Sequence, residues 1–134
     1  MNTTFTVTTA QTAQFVDITS QVQKAVADSK VKDGLAVVYV PHTTAGITIN
    51  ENADPTVQRD ILTHLDKMIP QSGDYRHAEG NSPAHIKASM MGLSVTVIVA
   101  GGDLQLGKWQ GIYFCEFDGP RRRQVRVKII EGSC

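Results

Sequence analysis

Four of the 134 residues are histidine, and two of them stand eight apart in His77-Ala78-Glu79-Gly80-Asn81-Ser82-Pro83-Ala84-His85. Gly80 tolerates a positive φ, so the backbone can fold back and bring both rings to one side. Ser82-Pro83 reads as a helix start, with Ser as N-cap and Pro in the first turn. That puts His85 one turn into a helix while His77 hangs from the preceding loop. Two imidazoles converging this way suit zinc and its first-row neighbours better than magnesium or calcium. The competing reading is two exposed bystanders in a loop rich in small residues.

His42 ends an apolar run that reads as a strand, and strand ends project side chains into a shared mouth. With His77 and His85 it would complete three protein ligands and leave one position open, the arrangement of a catalytic metal. Alternatively, Thr43 and Thr44 make it part of a polar turn. Glu51 and Glu79 are the carboxylates placed to act as general base or to orient a ligating imidazole; otherwise they are solvated loop residues. Asn50 and Asn52 suit turn capping. Asn81, between the two His, is a candidate for holding substrate.

Arg121-Arg122-Arg123 follows a tight turn. Guanidinium forks grip phosphate bidentately, and strand alternation sends Arg121 and Arg123 to one face and Arg122 to the other. Edge protection by charge is the other explanation. Cys115 is a candidate nucleophile only if a His or a positive field lies beside it; a buried, inert thiol is the usual meaning of a Cys between Tyr113 and Phe117. Trp109-Gln110 belongs to the core or floors a pocket.

The elements that must position these residues follow from periodicity. Thr3–Thr9 alternates as a strand. Phe15–Thr19 gives way to a short helix carrying Val22, Ala25 and Val26, closed at Asp33-Gly34. Leu35–Val40 is continuously apolar, a strand covered on both faces, and Pro41 ends it. Ile47–Ile49 resumes strand character. Asp54-Pro55 starts a helix with Val57, Ile61, Leu65 and Met68 on its apolar face and His64 partly covered at the edge; Pro70 stops it. A functional loop covers residues 71–84, and a short helix then runs to Gly92. Leu93–Val99 is a strand, Gly101-Gly102-Asp103 a hairpin turn, and the return strand runs from Leu104 through Phe117. Asp118-Gly119-Pro120 turns into a last strand with Val125, Val127 and Ile129 alternating. The pattern predicts one α+β domain over residues 1–134, a mainly antiparallel two-layer sandwich with two or three helices at one end.

Composition narrows the function classes. Thirteen basic residues balance thirteen acidic ones, which argues against binding nucleic acid by bulk charge but not against a local anion site. Neither a basic-then-apolar leader nor an apolar run near eighteen residues is present. Cys115 and Cys134 show no disulfide spacing, so a reducing cytoplasm is expected.

Four blocks in order resemble the secondary thiamine-phosphate synthase family. They are His42-Thr43-Thr44-Ala45 with Asn50-Glu51-Asn52-Ala53-Asp54-Pro55; Tyr75-Arg76-His77 with Glu79-Gly80-Asn81 and Ala84-His85-Ile86-Lys87; Gly107 with Trp109-Gln110-Gly111-Ile112; and Cys115 to Arg121. Lys108 departs from an expected Thr. The resemblance implies a compact trimeric α+β domain with a metal-bearing cleft at His42, His77 and His85. It also implies joining of a pyrimidine diphosphate to a thiazole phosphate, as a secondary activity.

The expectation is therefore a metal-dependent enzyme on a phosphorylated small molecule. Zinc is the expected ion, with magnesium as an option for a diphosphate substrate. Glu51, Glu79 and Cys115 are the candidate catalytic groups, Asn81, Arg121 and Arg122 the phosphate contacts, and His42, His77 and His85 the metal ligands. A zinc-type hydrolase and a non-catalytic metal- or metabolite-binding trimer are the alternatives.

Overall fold

The computed structural model describes residues 2–132; Cys134 lies outside the described residues. Eight strands and three helices follow the order β1 (Asn2–Thr8), β2 (Gln14–Asp17), α1 (Thr19–Ser29), β3 (Gly34–Tyr39), β4 (Ala45–Glu51), α2 (Thr56–Met68), α3 (Ser82–Met91), β5 (Ser94–Ala100), β6 (Asp103–Leu104), β7 (Gln110–Glu116) and β8 (Arg122–Glu131). They form a five-stranded sheet, β1-β8-β3-β5-β6, and a three-stranded sheet, β2-β7-β4. Every pairing is antiparallel, and the α+β sandwich is as expected.

Alternation explains the layers. Ala36, Val38, Val97, Val99, Val125, Val127 and Ile129 of the larger sheet meet Ile47, Ile112 and Phe114 of the smaller one, and α1 adds Val22, Ala25 and Val26. The opposite side of β7 presents Tyr113 and Cys115, with Phe117 just beyond, to Leu65 of α2 and Ala84 and Ala88 of α3. Thus α2 and α3 cover the outer face of the smaller sheet instead of sitting at one end. Leu65 alone of the α2 apolar set is buried, and Met68 is 62% exposed.

Two strand expectations need correction. β3 is not covered on both faces: Ala36 and Val38 are fully buried, whereas Leu35 and Tyr39 are 40% and 42% exposed. An antiparallel sheet can leave one face to solvent, and an apolar run does not reveal which faces are covered. The return strand after Gly101-Gly102 is also interrupted. Both glycines take positive φ, 61° and 82°, and close the hairpin, but β6 stops after two residues. The chain then crosses to the other sheet as β7.

Close backbone approaches fix α3 on β4. Gly92 accepts the Ile47 N–H at 3.0 Å, and Leu93 accepts the Val40 N–H at 2.8 Å. A Cβ on Gly46 would stand 2.8 Å from the Gly92 oxygen, so only glycine lets α3 lie this near. Among the described residues, no helix is long and apolar enough to cross a membrane.

Candidate functional site

A polar cavity of about 440 Å³ opens where three chain segments cross between the sheets. It is lined by His42, Thr43 and Thr44 from the β3–β4 connection, His77, Glu79, Asn81 and His85 from the loop and start of α3, and Asp118, Arg121 and Arg123 around the β7–β8 turn. The two His-bearing segments and part of the arginine run, far apart in sequence, thus meet in one place.

Local rules account for the α3 wall. Gly80 has φ 76°, the reversal expected of it. The cap position falls on Asn81, one residue before the expected Ser82, with Pro83 in the first turn. His85 therefore sits at the start of the helix. Its ring stands edge-on to that of His77, with centroids 5.2 Å apart and planes at 86°. The Glu79 carboxylate lies 4.0 Å from His77 Nε2, and both side chains are accessible. Among the described residues, no group of three or more His, Cys, Asp and Glu side chains is gathered tightly enough to hold a metal ion. The adjacent imidazole pair is the nearest approach to such a seat.

Asn81 is anchored by its amide, which donates to Asp118 Oδ2 at 3.0 Å. Its own Oδ1 is buried with no hydrogen-bond partner among the described residues. Buried acceptors of this kind ordinarily meet a donor or a cation. Arg121 donates from Nε to the Asp118 carbonyl at 2.9 Å and from Nη2 to Asp118 Oδ2 at 3.0 Å. The guanidinium is thus held in place while about half its surface stays open.

The floor is a buried ion pair. Arg123 and Glu116 are 3% and 0% exposed, and Arg123 donates from Nε and Nη2 to the two carboxylate oxygens. Glu116 also accepts from the Thr9 hydroxyl at 2.8 Å and the Asp118 N–H at 3.0 Å. Arg123 reaches Thr44 Oγ1 at 2.8 Å. Burial raises the Glu116 pKa, but Arg123, the Asp118 amide and Thr9 together outweigh it and hold the carboxyl below its usual 4.5. Both charges are satisfied, as a buried pair requires. At the rim, His42 Nε2 accepts the Gln124 N–H at 2.9 Å.

Several candidates lie elsewhere. Glu51 is the last residue of β4 and Ala45 the first. At about 3.3 Å per residue, that places it roughly 20 Å along the strand from the cavity end, outside the lining residues, and its catalytic role is withdrawn for this chain's own pocket. Cys115 is fully buried in the helix-covered cluster. Burial pushes its thiol far up, and its S–H points to the Tyr113 carbonyl. A buried thiol so disfavoured from ionising, and outside the cavity lining, does not fit the nucleophile reading. Arg122 is exposed opposite Thr8 of β1; alternation turns it away, and its phosphate role is corrected in favour of Arg121. His64 is exposed on α2 instead of partly covered. Trp109 is 55% exposed, so it is not core, and it is not among the residues lining the polar cavity; the Lys108 ammonium lies 5.0 Å from its ring centroid.

Arg123, Asp118, Thr43 and Thr44 were not foreseen as site residues. The alternation that separates Arg122 from its neighbours already carried the signal for Arg123. Asp118 read as a turn residue, and only the tertiary fold shows its carboxylate joining Asn81 to Arg121.

Comparison with known proteins gives the family. A family profile described as "UPF0047 protein YjbQ-like" matches residues 3–132. A UPF0047 protein of Methanocaldococcus jannaschii is 56% identical over 126 residues, covering 94% of this chain and 91% of the relative. UPF0047 protein YugU of Bacillus subtilis is 48% identical, covering 95% and 97%. A crystal structure of an uncharacterised YjbQ/UPF0047-family protein from Clostridium acetobutylicum superposes with TM-score 0.94 at 63% identity, covering 96% of this chain and 99% of that one. These matches overturn the expected membership of the secondary thiamine-phosphate synthases: the family is named UPF0047, and these relatives carry no synthase name.

Proposed function

The chain belongs to the YjbQ-like UPF0047 family, and on that footing we propose that its polar cavity is the active site of an enzyme acting on a small phosphorylated molecule. One observation carries the reading: an imidazole pair, a carboxylate, an anchored guanidinium and the side chain of Asn81 line one cavity of about 440 Å³. That volume matches a small metabolite.

Arg121, fixed by Asp118, binds phosphate oxygens and offsets the charge that grows on a departing phosphate or diphosphate. Thr43 and Thr44 add hydroxyls to the lining. Glu79 beside His77 is the proton acceptor or orienting partner. His77 and His85, whose rings adjoin, are the residues that would hold a borderline divalent ion. When bound, such an ion supplies electrostatic stabilisation of negative charge on the substrate. A cytosolic location is supported by the free buried thiol of Cys115, and self-association, proposed here as a trimer, by the exposed Leu35, Ile98 and Ile130. Cell fractionation and sedimentation read these directly.

The test is turnover together with metal content, on untagged protein. Zinc- or magnesium-supplied protein is given phosphomonoesters, diphosphates and the two thiamine-phosphate precursors, pyrimidine diphosphate and thiazole phosphate. At least one class should turn over above a no-enzyme control. His77→Ala and His85→Ala should lose activity and metal together, while His64→Ala keeps both. Equal metal content in all three variants, or no turnover of any class, discards the proposal.

A further inference from the structure

We propose that His42 is a fixed hydrogen-bond donor, presenting Nδ1–H to an oxygen of the pocket's anionic ligand, and is not a third ligand for a cation. The inference rests on the cavity being the seat of a phosphorylated compound and deepens that reading.

Strand register explains why the ring is where it is. β3 pairs with β8 with Tyr39 opposite Arg126, so continued pairing would set residue 41 opposite Gln124. That residue is Pro41, and β3 has already ended at Tyr39. The chain turns toward β4, and the Gln124 N–H meets the His42 ring instead of a ladder carbonyl, at 2.9 Å from Nε2. His42 thus closes the strand edge while its ring lines the cavity.

A backbone N–H can only donate. Nε2 must therefore present its lone pair, and the one proton of the neutral ring is on Nδ1. Binding a cation at Nδ1 would need a ring stripped of both protons. Placing the proton on Nε2 would set two donors against each other. Burial first, then the charge of Arg123, and last that of Arg121 disfavour the doubly protonated ring, and together they outweigh the opposing effects of the Gln124 contact and Glu116. Arg121 favours a ligand anion, so a neutral donor lining the same cavity adds direction without adding charge. Arg121 holds such an anion by charge, and His42 fixes which oxygen points to the β3–β4 wall.

Two measurements decide it. Two-bond nitrogen-15 imidazole spectra of the full chain, with His42 assigned by difference against His42→Asn, should show the Nδ1–H tautomer. They should show it in metal-free and in cobalt-supplied protein alike. Inorganic phosphate and pyrophosphate titrations form the second arm. His42→Phe should weaken binding about tenfold or more, as expected for a lost hydrogen bond to a charged group. His42→Asn, whose amide N–H replaces Nδ1–H, should stay within about threefold by the same measure. Both variants should keep the wild-type zinc stoichiometry. An Nε2–H tautomer, zinc lost in both variants, or phosphate affinity unchanged in His42→Phe overturns the proposal. Turnover enters neither arm, so failure of the enzyme reading would show as absent catalysis with these results intact.

Discussion

At the scale of single residues, Asp118 fixes the Arg121 guanidinium at the cavity, accepting from Nε at its carbonyl and from Nη2 at its carboxylate. His42, His77, His85, Glu79, Asn81 and Arg121 all line one cavity, and each was visible as a reactive side chain beside a turn, a helix start or a strand end. Glu51 and Cys115 had the right chemistry in the wrong place, because what surrounds a side chain is decided by chain segments distant in sequence. Arg122 shows the same limit at the shortest range: it differs from its neighbours only by the parity of the strand. The contrast can be measured. Arg121→Ala should lose phosphate affinity by about tenfold or more, the value of a charge-assisted hydrogen bond. Arg122→Ala should leave it unchanged in the same titration, and equal loss in both would show that surface charge, not the cavity, binds phosphate.

Elements were legible where local rules act alone. Asp54 Oδ1 accepts the Thr56 N–H at 2.9 Å, a local contact at the predicted start of α2, and α3 begins and ends beside its predicted Ser-Pro and Gly signals. The early end of β6 was not legible, because crossing from one sheet to the other is chosen by tertiary packing. The contact of α3 with β4 was equally hidden, since Gly46 looks like an ordinary strand glycine. A methyl group there would stand 3.0 Å from Met91 Cβ as well as against the Gly92 carbonyl. Gly46→Ala should cost about 1–3 kcal/mol, the usual toll of overpacking. Because α3 carries His85, phosphate affinity should fall with it. Gly132→Ala, with nothing within 4 Å, is the control, and urea midpoints compare the two. Equal midpoints would show that α3 has room to shift.

For the molecule as a whole, the α+β sandwich followed from strand alternation, whereas the Arg123–Glu116 pair could not be read from residues scattered over β7 and β8. That pair joins the larger sheet to the smaller one and makes stability depend on acid. The folded Glu116 carboxyl titrates below its usual 4.5, so its contribution is complete above that value and is lost as pH falls through the lower, folded one. Glu116→Gln should flatten the acid limb of the stability curve followed by circular dichroism. Arg123→Met leaves a buried carboxylate alone and should cost about 3–5 kcal/mol at neutral pH. An unchanged acid limb in Glu116→Gln would assign acid unfolding to other groups.

The position of this pair has a mechanical consequence. Arg123 belongs to the larger sheet and Glu116 to the smaller one, and Arg123 also lines the cavity. The contact that fastens one layer to the other is therefore part of the wall that meets a ligand, and a substitution that loosens the fastening reshapes the pocket with it.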